Sequence, residues 1–491
     1  MTRVTGVVLA SPGHPGRARA LAGGLLEVSA AAVPTAWSSI PDGSTHHFLL
    51  QDSMVLSSAF FSRVNAAAKT MPDAALLLTA SATSRNGGAV RQGAIAGARW
   101  VPAAREHVPP TGIVLPVEVA DEFARFAAAQ AGNWPEPALM SRFLRQNGIP
   151  TFVSVPNLID VPAAPSACFF TDDPEEGDEP GLPELSVIPF YRDELAQCAI
   201  RMDDGWRTIP SVEYLRRFDI RSGDLRIHSD FDTERHWNAW LTGFAMGVVN
   251  RFEGHGVHRS GLVLDRALAT IGGPGMHAWV WDGLRSGMTT VSHTTDRSSP
   301  SVRVACGDSF LGDHLLFLLA GRGYHVTTAG PADIVVYLDG APVSVDGARL
   351  AICLTSFAGP RSPLPSVRTC VLRLGVPYGP GMPADSPLAR FVWAAMFGQV
   401  TDFGSAQQLV HVHDIVDAVE AVMLTGTPDD GYTIANLETT DTARLSRVLG
   451  LPPGQPEDIP AVPVDQTLGW GPYVGVERGI RDYAEWLAYE R

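Results

Sequence analysis

Within IHSDFDTERH (227–236) stand His228, Asp230, Asp232 and His236, four groups able to ligate a divalent metal in nine residues. Imidazole nitrogens and carboxylate oxygens at this spacing suit such an ion. The same residues also suit the start of a helix, with Asp232 as N-cap and His236 one turn in, and that reading needs no metal. Both readings stand at this point. Five cysteines, at 168, 198, 306, 353 and 370, are odd in number and lack C-x-x-C spacing. They indicate neither a disulfide framework nor a zinc knuckle. The chain has one lysine, Lys69, and neither Lys nor Arg lies four residues after any of its nine tyrosines. A tyrosine whose pKa is lowered by a cation one helical turn on is therefore absent.

The elements that would position such groups fall into three textures. In residues 1–170, the apolar runs VTGVVLA (4–10), HHFLLQD (46–52), AALLLTA (74–80) and GIVLPV (112–117) read as buried strands. SSAFFSRVNAAAKT (57–70) and EVADEFARFAAAQ (118–130) between them have helical periodicity. Strands alternating with helices predict an α/β layer fold. The acidic, Pro- and Gly-rich stretch DDPEEGDEPGLPE (172–184) marks a linker or exposed loop. Residues 171–298 read as an α-rich extension, with its best helix near TERHWNAWLTGFAMGVVNRF (233–252). Along that helix Trp237, Trp240, Phe244 and Val248 form a core stripe. Residues 299–491 return to strand–helix alternation and finish in a helix, VERGIRDYAEWLAYER (476–491).

VRVACGDSFLGDHLLFLLAGRGYHV (302–326) is a strand, a tight turn, a helix and a second strand. With DIVVYLD (333–339), RLAICLTS (349–356), VLRLGVPYGPGM (371–382), LVHVHDIVDAVEAVM (409–423) and YTIAN (432–436), it resembles the NAD-dependent epimerase/dehydratase family of extended short-chain dehydrogenases. The resemblance implies a Rossmann-like domain over 299–491 whose contacts have degenerated. Of the family's glycine fingerprint only Gly312 is matched, Cys306 and Ser309 standing at the other two positions. Side chains there work against a close approach of pyrophosphate. The second strand ends in TTAG (327–330), with no carboxylate for a ribose hydroxyl, and the family's Tyr-x-x-x-Lys pair is missing. Gly312 is the one cofactor contact the resemblance leaves, Ser356 the one catalytic remnant, and NAD(P) is not expected.

HHFLLQDSMVLSSAFFSRVNAAAKTMPDAALLLTA (46–80), TGIVLPVEVADEFARF (111–126) and WPEPALMSRFLRQNGIPTFVSVPNLID (134–160) resemble GT-A-fold glycosyltransferases, near the procollagen galactosyltransferase-like group. The resemblance covers about 1–165. It implies that the acidic motif after the second of these strands, here Gln51-Asp52-Ser53, binds a divalent cation, Mn or Mg, at the leaving diphosphate. Asp52 alone remains of that motif, as a weak ligand or as a residue that only stabilises the turn. It further implies that Glu136 is the carboxylate that deprotonates the acceptor hydroxyl or contacts the sugar. Arg17 and Arg19, in the loop SPGHPGRAR (11–19), would meet the nucleotide diphosphate. Asp230-x-Asp232 formally repeats the motif eroded at Asp52.

The expected class is thus α/β: a GT-A-like nucleotide-sugar domain (1–170), an α-rich middle region (171–298) and a degenerate Rossmann-like domain (299–491). A net charge of −15 and a pI near 5.4 argue against nucleic acid or an anionic membrane as partner. No apolar run is long enough to span a bilayer, and a cytoplasmic location is expected. The expected activity is glycosyl transfer from a nucleotide sugar to a small-molecule or glycan acceptor. A non-catalytic scaffold bound to a protein partner, and an NAD(P)-dependent epimerase-like oxidoreductase, are the alternatives.

Overall fold

The computed structural model describes the chain except residues 1, 13, 131–133, 135, 163–164, 175–183, 203–204, 219, 222–224, 226–230, 254–260, 291–299, 308, 341–342, 346, 358–366, 426–430, 453–458, 465–467, 469 and 491. It is a mixed α/β protein with largely parallel sheets. Two compact units divide it: Met1–Leu215 with Ile220–His293, and Thr294–Tyr489 with the short Arg216–Asp219 stretch.

The first unit is built on a seven-stranded sheet. Its strands are β1 (Val4–Leu9), β2 (Glu27–Ser29), β3 (His46–Gln51), β5 (Ala75–Leu77), β6 (Trp100–Pro102), β7 (Ile113–Pro116) and β8 (Thr151–Ser154). The short β4 (Val55–Leu56) pairs outside it with β9 (Ile159–Asp160). Spatial order is β2-β1-β3-β7-β5-β8-β6. Strands β2, β1, β3, β5 and β8 run the same way, whereas β7 and β6 oppose them. The expected strands are all present, and β3, β5 and β7 are buried on both faces. That explains why they read as continuous apolar runs rather than as alternating ones.

Among the helices the sequence did not announce, one is enclosed in the core. Arg85–Ala96 is buried along its entire length. A helix enclosed on all sides has no polar face, so its sequence, RNGGAVRQGAIA, shows no amphipathic stripe. Its glycines are there for space: a Cβ on Gly87 would lie 2.2 Å from the Ser81 carbonyl oxygen. One on Gly88 would lie 2.6 Å from the Pro189 carbonyl oxygen. Its first turn is closed by Ser84 Oγ, which accepts the Gly87 amide, and by the Glu106 carboxylate, which accepts those of Arg85 and Asn86 at 2.8 and 2.7 Å.

The middle region begins as a three-stranded antiparallel sheet, β10 (Val187–Arg192), β11 (Leu195–Met202) and β12 (Gly205–Pro210), where the sequence suggested an α-rich extension. Its helices follow. Glu234–Glu253 and His277–Thr289 pack with their backbones in contact, because Gly243 and Gly247 face Gly283 and Gly287 at four-residue spacing. A Cβ on Gly283 would stand 2.0 Å from the Trp240 carbonyl oxygen, and one on Gly247 2.3 Å from that of Leu284.

The second unit carries a six-stranded, wholly parallel sheet of order β14-β13-β15-β16-β17-β20. Here β13 is Ser301–Ala305, β14 His325–Thr327, β15 Ile334–Leu338, β16 Leu350–Ser356, β17 Thr369–Leu374 and β20 Gly431–Ile434, while β18 (Val376–Tyr378) and β19 (Leu409–His411) pair outside it. Helix Phe310–Gly321 crosses between β13 and β14. A buried arginine, Arg322, joins it to helix Val412–Thr425 through Asp417 and, at 2.9 Å, Glu420. Asp414, wholly buried, accepts the amides of Tyr473 at 2.8 Å and Val474 at 3.1 Å and so fixes the segment leading to the last helix, Val476–Tyr489.

Two stability predictions follow from this packing. Gly283→Ala should lower unfolding free energy by about 1–3 kcal/mol through overpacking. Gly16→Ala, with nothing within 4 Å of its Cβ, should be nearly neutral. Urea unfolding measures both, and equal effects would contradict the assigned helix contact. Burial pushes the Asp414 carboxyl up to about 7, against its amide donors. The folded state thus binds a proton that the unfolded state has released, and Asp414 costs stability as pH rises from about 4 to 7. Asp414→Asn should therefore gain on the parent protein between about pH 5 and 8 in parallel thermal melts. A loss over that range would contradict the assignment.

Candidate functional site

From β1 the chain moves outward to β2 and then returns past β1 to β3 on its other side. The crevice between the carboxyl ends of β1 and β3 is a topological switch point, the place where open α/β sheets take ligands. Ser11 follows β1 there, and Asp52 follows β3. The Ser11 amide donates to Asp52 Oδ2 at 2.8 Å and its hydroxyl to Oδ1 at 2.6 Å, so one residue occupies both carboxylate oxygens. The Asp52 amide in turn donates to the Leu9 carbonyl at 3.2 Å. Asp52 is 8% exposed. The Ser11 hydroxyl and amide hold its carboxyl below the usual range; burial opposes them, and the charges of Arg17 and His14 assist.

Arg17 and Arg19 lie exposed on α1 (Pro15–Ala22), which starts with Pro15 in its first turn and is closed by Gly23 in the left-handed region. The structure thus brings Asp52 and the start of α1 to one edge. Glu136 opens helix Glu136–Gln146, and its side chain lies outside the described residues. His228 and Asp230 lie outside them as well. Asp232 is exposed and stands 3.7 Å from His236 Nδ1. It is not the N-cap: the His236 amide donates to Thr233 Oγ1 at 3.2 Å. Among the described residues, no three His, Cys, Asp or Glu side chains gather as a metal site.

The same edge holds groups that the sequence reading missed. Asp160, in β9, is paired in register with Val55, three residues beyond Asp52. Its Oδ1 accepts the Ser166 hydroxyl at 2.6 Å and the Ser166 amide at 3.3 Å. Ser166 Oγ also lies 3.1 Å from the hydroxyl of Thr79, just past the end of β5. A lone Asp in VPNLID carries little signal by itself, since its partner is six residues away.

The second unit has its own switch point, between β13 and β15. Gly307 makes the turn there in the left-handed region, at φ +60°, a residue later than the position where a glycine was judged missing. Ser309 caps the helix by accepting the Gly312 amide at 3.1 Å. A Cβ on Gly312 would stand 3.1 Å from Cys306 Cβ and from the Gly307 carbonyl oxygen, so that position needs its glycine for close packing. Burial pushes the Cys306 thiol up to about 12, which removes it as a nucleophile. On the facing strand, Thr355 Oγ1 donates to Asp339 Oδ2 at 3.1 Å, and Ser356 is exposed at the end of β16.

Neither protein-family models nor curated proteins match the chain. Solved structures do, over little more than a third of it. UDP-glucose 4-epimerase from Thermotoga maritima, solved with UDP-glucose, is 16% identical and covers 38% of this chain and 98% of its own, with a TM-score of 0.30. UDP-glucose 4-epimerase from Thermus thermophilus, complexed with NAD, is 18% identical over 38% and 98%, at 0.28. RMD from Pseudomonas aeruginosa, complexed with NADPH, is 14% identical over 39% and 99%, at 0.32. These are NAD-dependent epimerase/dehydratase-like structures, and the expectation against NAD(P) is corrected by the two of them solved with NAD and with NADPH. The retained Gly307 removes part of the physical case for that expectation. Among the described residues, no helix is long and apolar enough to cross a membrane.

Ser11→Ala should raise the Asp52 titration toward the ordinary carboxylate range. Carboxyl-carbon NMR through an acid titration measures this, and an unchanged midpoint would contradict the Ser11 clamp.

Proposed function

We propose that the first unit binds a nucleotide sugar at the β1–β3 crevice and transfers its glycosyl group to a hydroxyl acceptor. The observation that carries this reading is the Ser11–Asp52 pair spanning the switch point, with Arg17 close enough for its charge to act on Asp52. A diphosphate beside α1 would meet Arg17, Arg19 and the positive end of that helix. In the reading, Asp52 holds the loop that presents these cations. The acceptor oxygen attacks the anomeric carbon, the bond from that carbon to the diphosphate oxygen breaks, and the acceptor proton passes to a carboxylate. By the resemblance to GT-A enzymes that carboxylate is Glu136.

For the second unit, the Gly307 turn and the small residue at Gly312 favour dinucleotide binding beside these two glycines. With no Tyr-x-x-x-Lys pair in the sequence, proton relay to a substrate hydroxyl lacks its usual donor, so the reading is binding without oxidoreduction.

Calorimetric titration of the full chain with UDP-, dTDP- and GDP-sugars and with NAD⁺ and NADP⁺ tests both parts. A nucleotide sugar should bind, and Arg17→Ala should weaken it by about tenfold, the worth of a charge-assisted contact to phosphate. Silence of the intact protein toward every nucleotide sugar would remove the transferase reading and favour a scaffold acting through protein partners.

A further inference from the structure

The geometry points to Asp160 as the residue that reads the sugar of the bound donor, an inference that rests on the transferase reading above. Asp52 and Asp160 both stand on the carboxyl edge of the first unit's sheet, and they are held differently. Each oxygen of Asp52 already accepts a bond from Ser11, so a ligand hydroxyl there would have to share an occupied oxygen. Asp160 is anchored through Oδ1 alone, by the Ser166 hydroxyl and amide, and among the described residues Oδ2 accepts no hydrogen bond.

The anchor is itself supported. Ser166 is 6% exposed and lies in reach of Thr79 Oγ1, and the segment carrying it is bound to the end of β5 by the Ala167 amide on the Ala80 carbonyl. A carboxylate fixed by one oxygen, with the other open at a half-buried position, suits a hydroxyl-rich ligand. It accepts an O–H in a charge-assisted bond and fixes which hydroxyl that is. Such a contact also rejects sugars lacking the hydroxyl, because the carboxylate is then left desolvated and unpaired. Its register beside β4 keeps it three residues from the Asp52 turn, so the two roles divide: Asp52 holds the diphosphate arm, and Asp160 meets the sugar.

The test is calorimetry on the full chain with UDP, dTDP and GDP and with UDP-glucose, dTDP-glucose and GDP-mannose, comparing the parent protein, Asp160→Asn and Ser166→Ala. Asp160→Asn keeps the shape and an acceptor for Ser166. It should leave the free diphosphate's affinity within about twofold and weaken the matching nucleotide sugar by about tenfold. Ser166→Ala, which loosens the carboxylate without removing it, should give a smaller loss in the same sense. Equal affinities for nucleotide sugar in parent and Asp160→Asn would overturn the inference and leave the transferase reading intact. A parallel loss of diphosphate and nucleotide sugar would overturn it too, by assigning Asp160 to the loop alone. Absence of nucleotide-sugar binding in the parent protein would end both.

Discussion

The first unit is organised around one constraint: Asp52, at the end of β3, is tied through both carboxylate oxygens to Ser11, at the end of β1. These strands flank the point where the chain reverses its winding, and without a tie their carboxyl ends would diverge into two independent loops. Because one donor is a backbone amide and the other the hydroxyl of the same residue, the pair fixes both the position and the orientation of the Ser11 loop. Helix α1 leaves from that loop, so the direction of its amino end is set by the same bonds. Ionised Asp52 is the form these donors favour, and the arrangement is therefore complete at neutral pH.

Elsewhere the first unit depends on buried cations and absent side chains. Arg91 is fully buried and bonds the carbonyls of Ala267 at 3.1 Å and Ala82 at 2.7 Å, while Arg63 bonds those of Arg99 and Val155. Burial pushes both guanidinium groups down to about 10, which still leaves them charged at neutral pH. They act as donors to carbonyls enclosed in the core, where an unpaired carbonyl would be costly. The glycines of the Arg85–Ala96 helix and of the Glu234–Glu253 and His277–Thr289 pair permit backbone contact that any side chain would prevent.

The sequence made much of this readable, for identifiable reasons. HHFLLQ and IVLP are strands buried on both faces, and such strands announce themselves as apolar runs. Phe60–Thr70 and Val117–Gln130 each bury one face and keep the helical period. RNGGAVRQGAIA was invisible because enclosure removes periodicity and calls for glycine, which ordinarily argues against a helix. The three middle strands were missed since VIPFYR and LAQCAIRM are buried along most of their length and show no alternation. The tie between Asp52 and Ser11 was not legible: a serine in a Pro- and Gly-rich loop looks the same whether or not it meets a carboxylate 41 residues on. In the second unit, placing the fingerprint at positions 306, 309 and 312 passed over Gly307, whose backbone angle alone identifies it as the turn glycine.

The central claim is that the β1–β3 crevice of the first unit is where a nucleotide sugar binds. Hydrogen–deuterium exchange on the full chain, with and without UDP-, dTDP- and GDP-sugars, tests it directly by reporting which backbone amides a ligand protects. The account predicts that one of these sugars slows exchange in the segments around residues 9–19 and 49–56. Protection confined to residues 302–326, or none with any of the sugars, would contradict it.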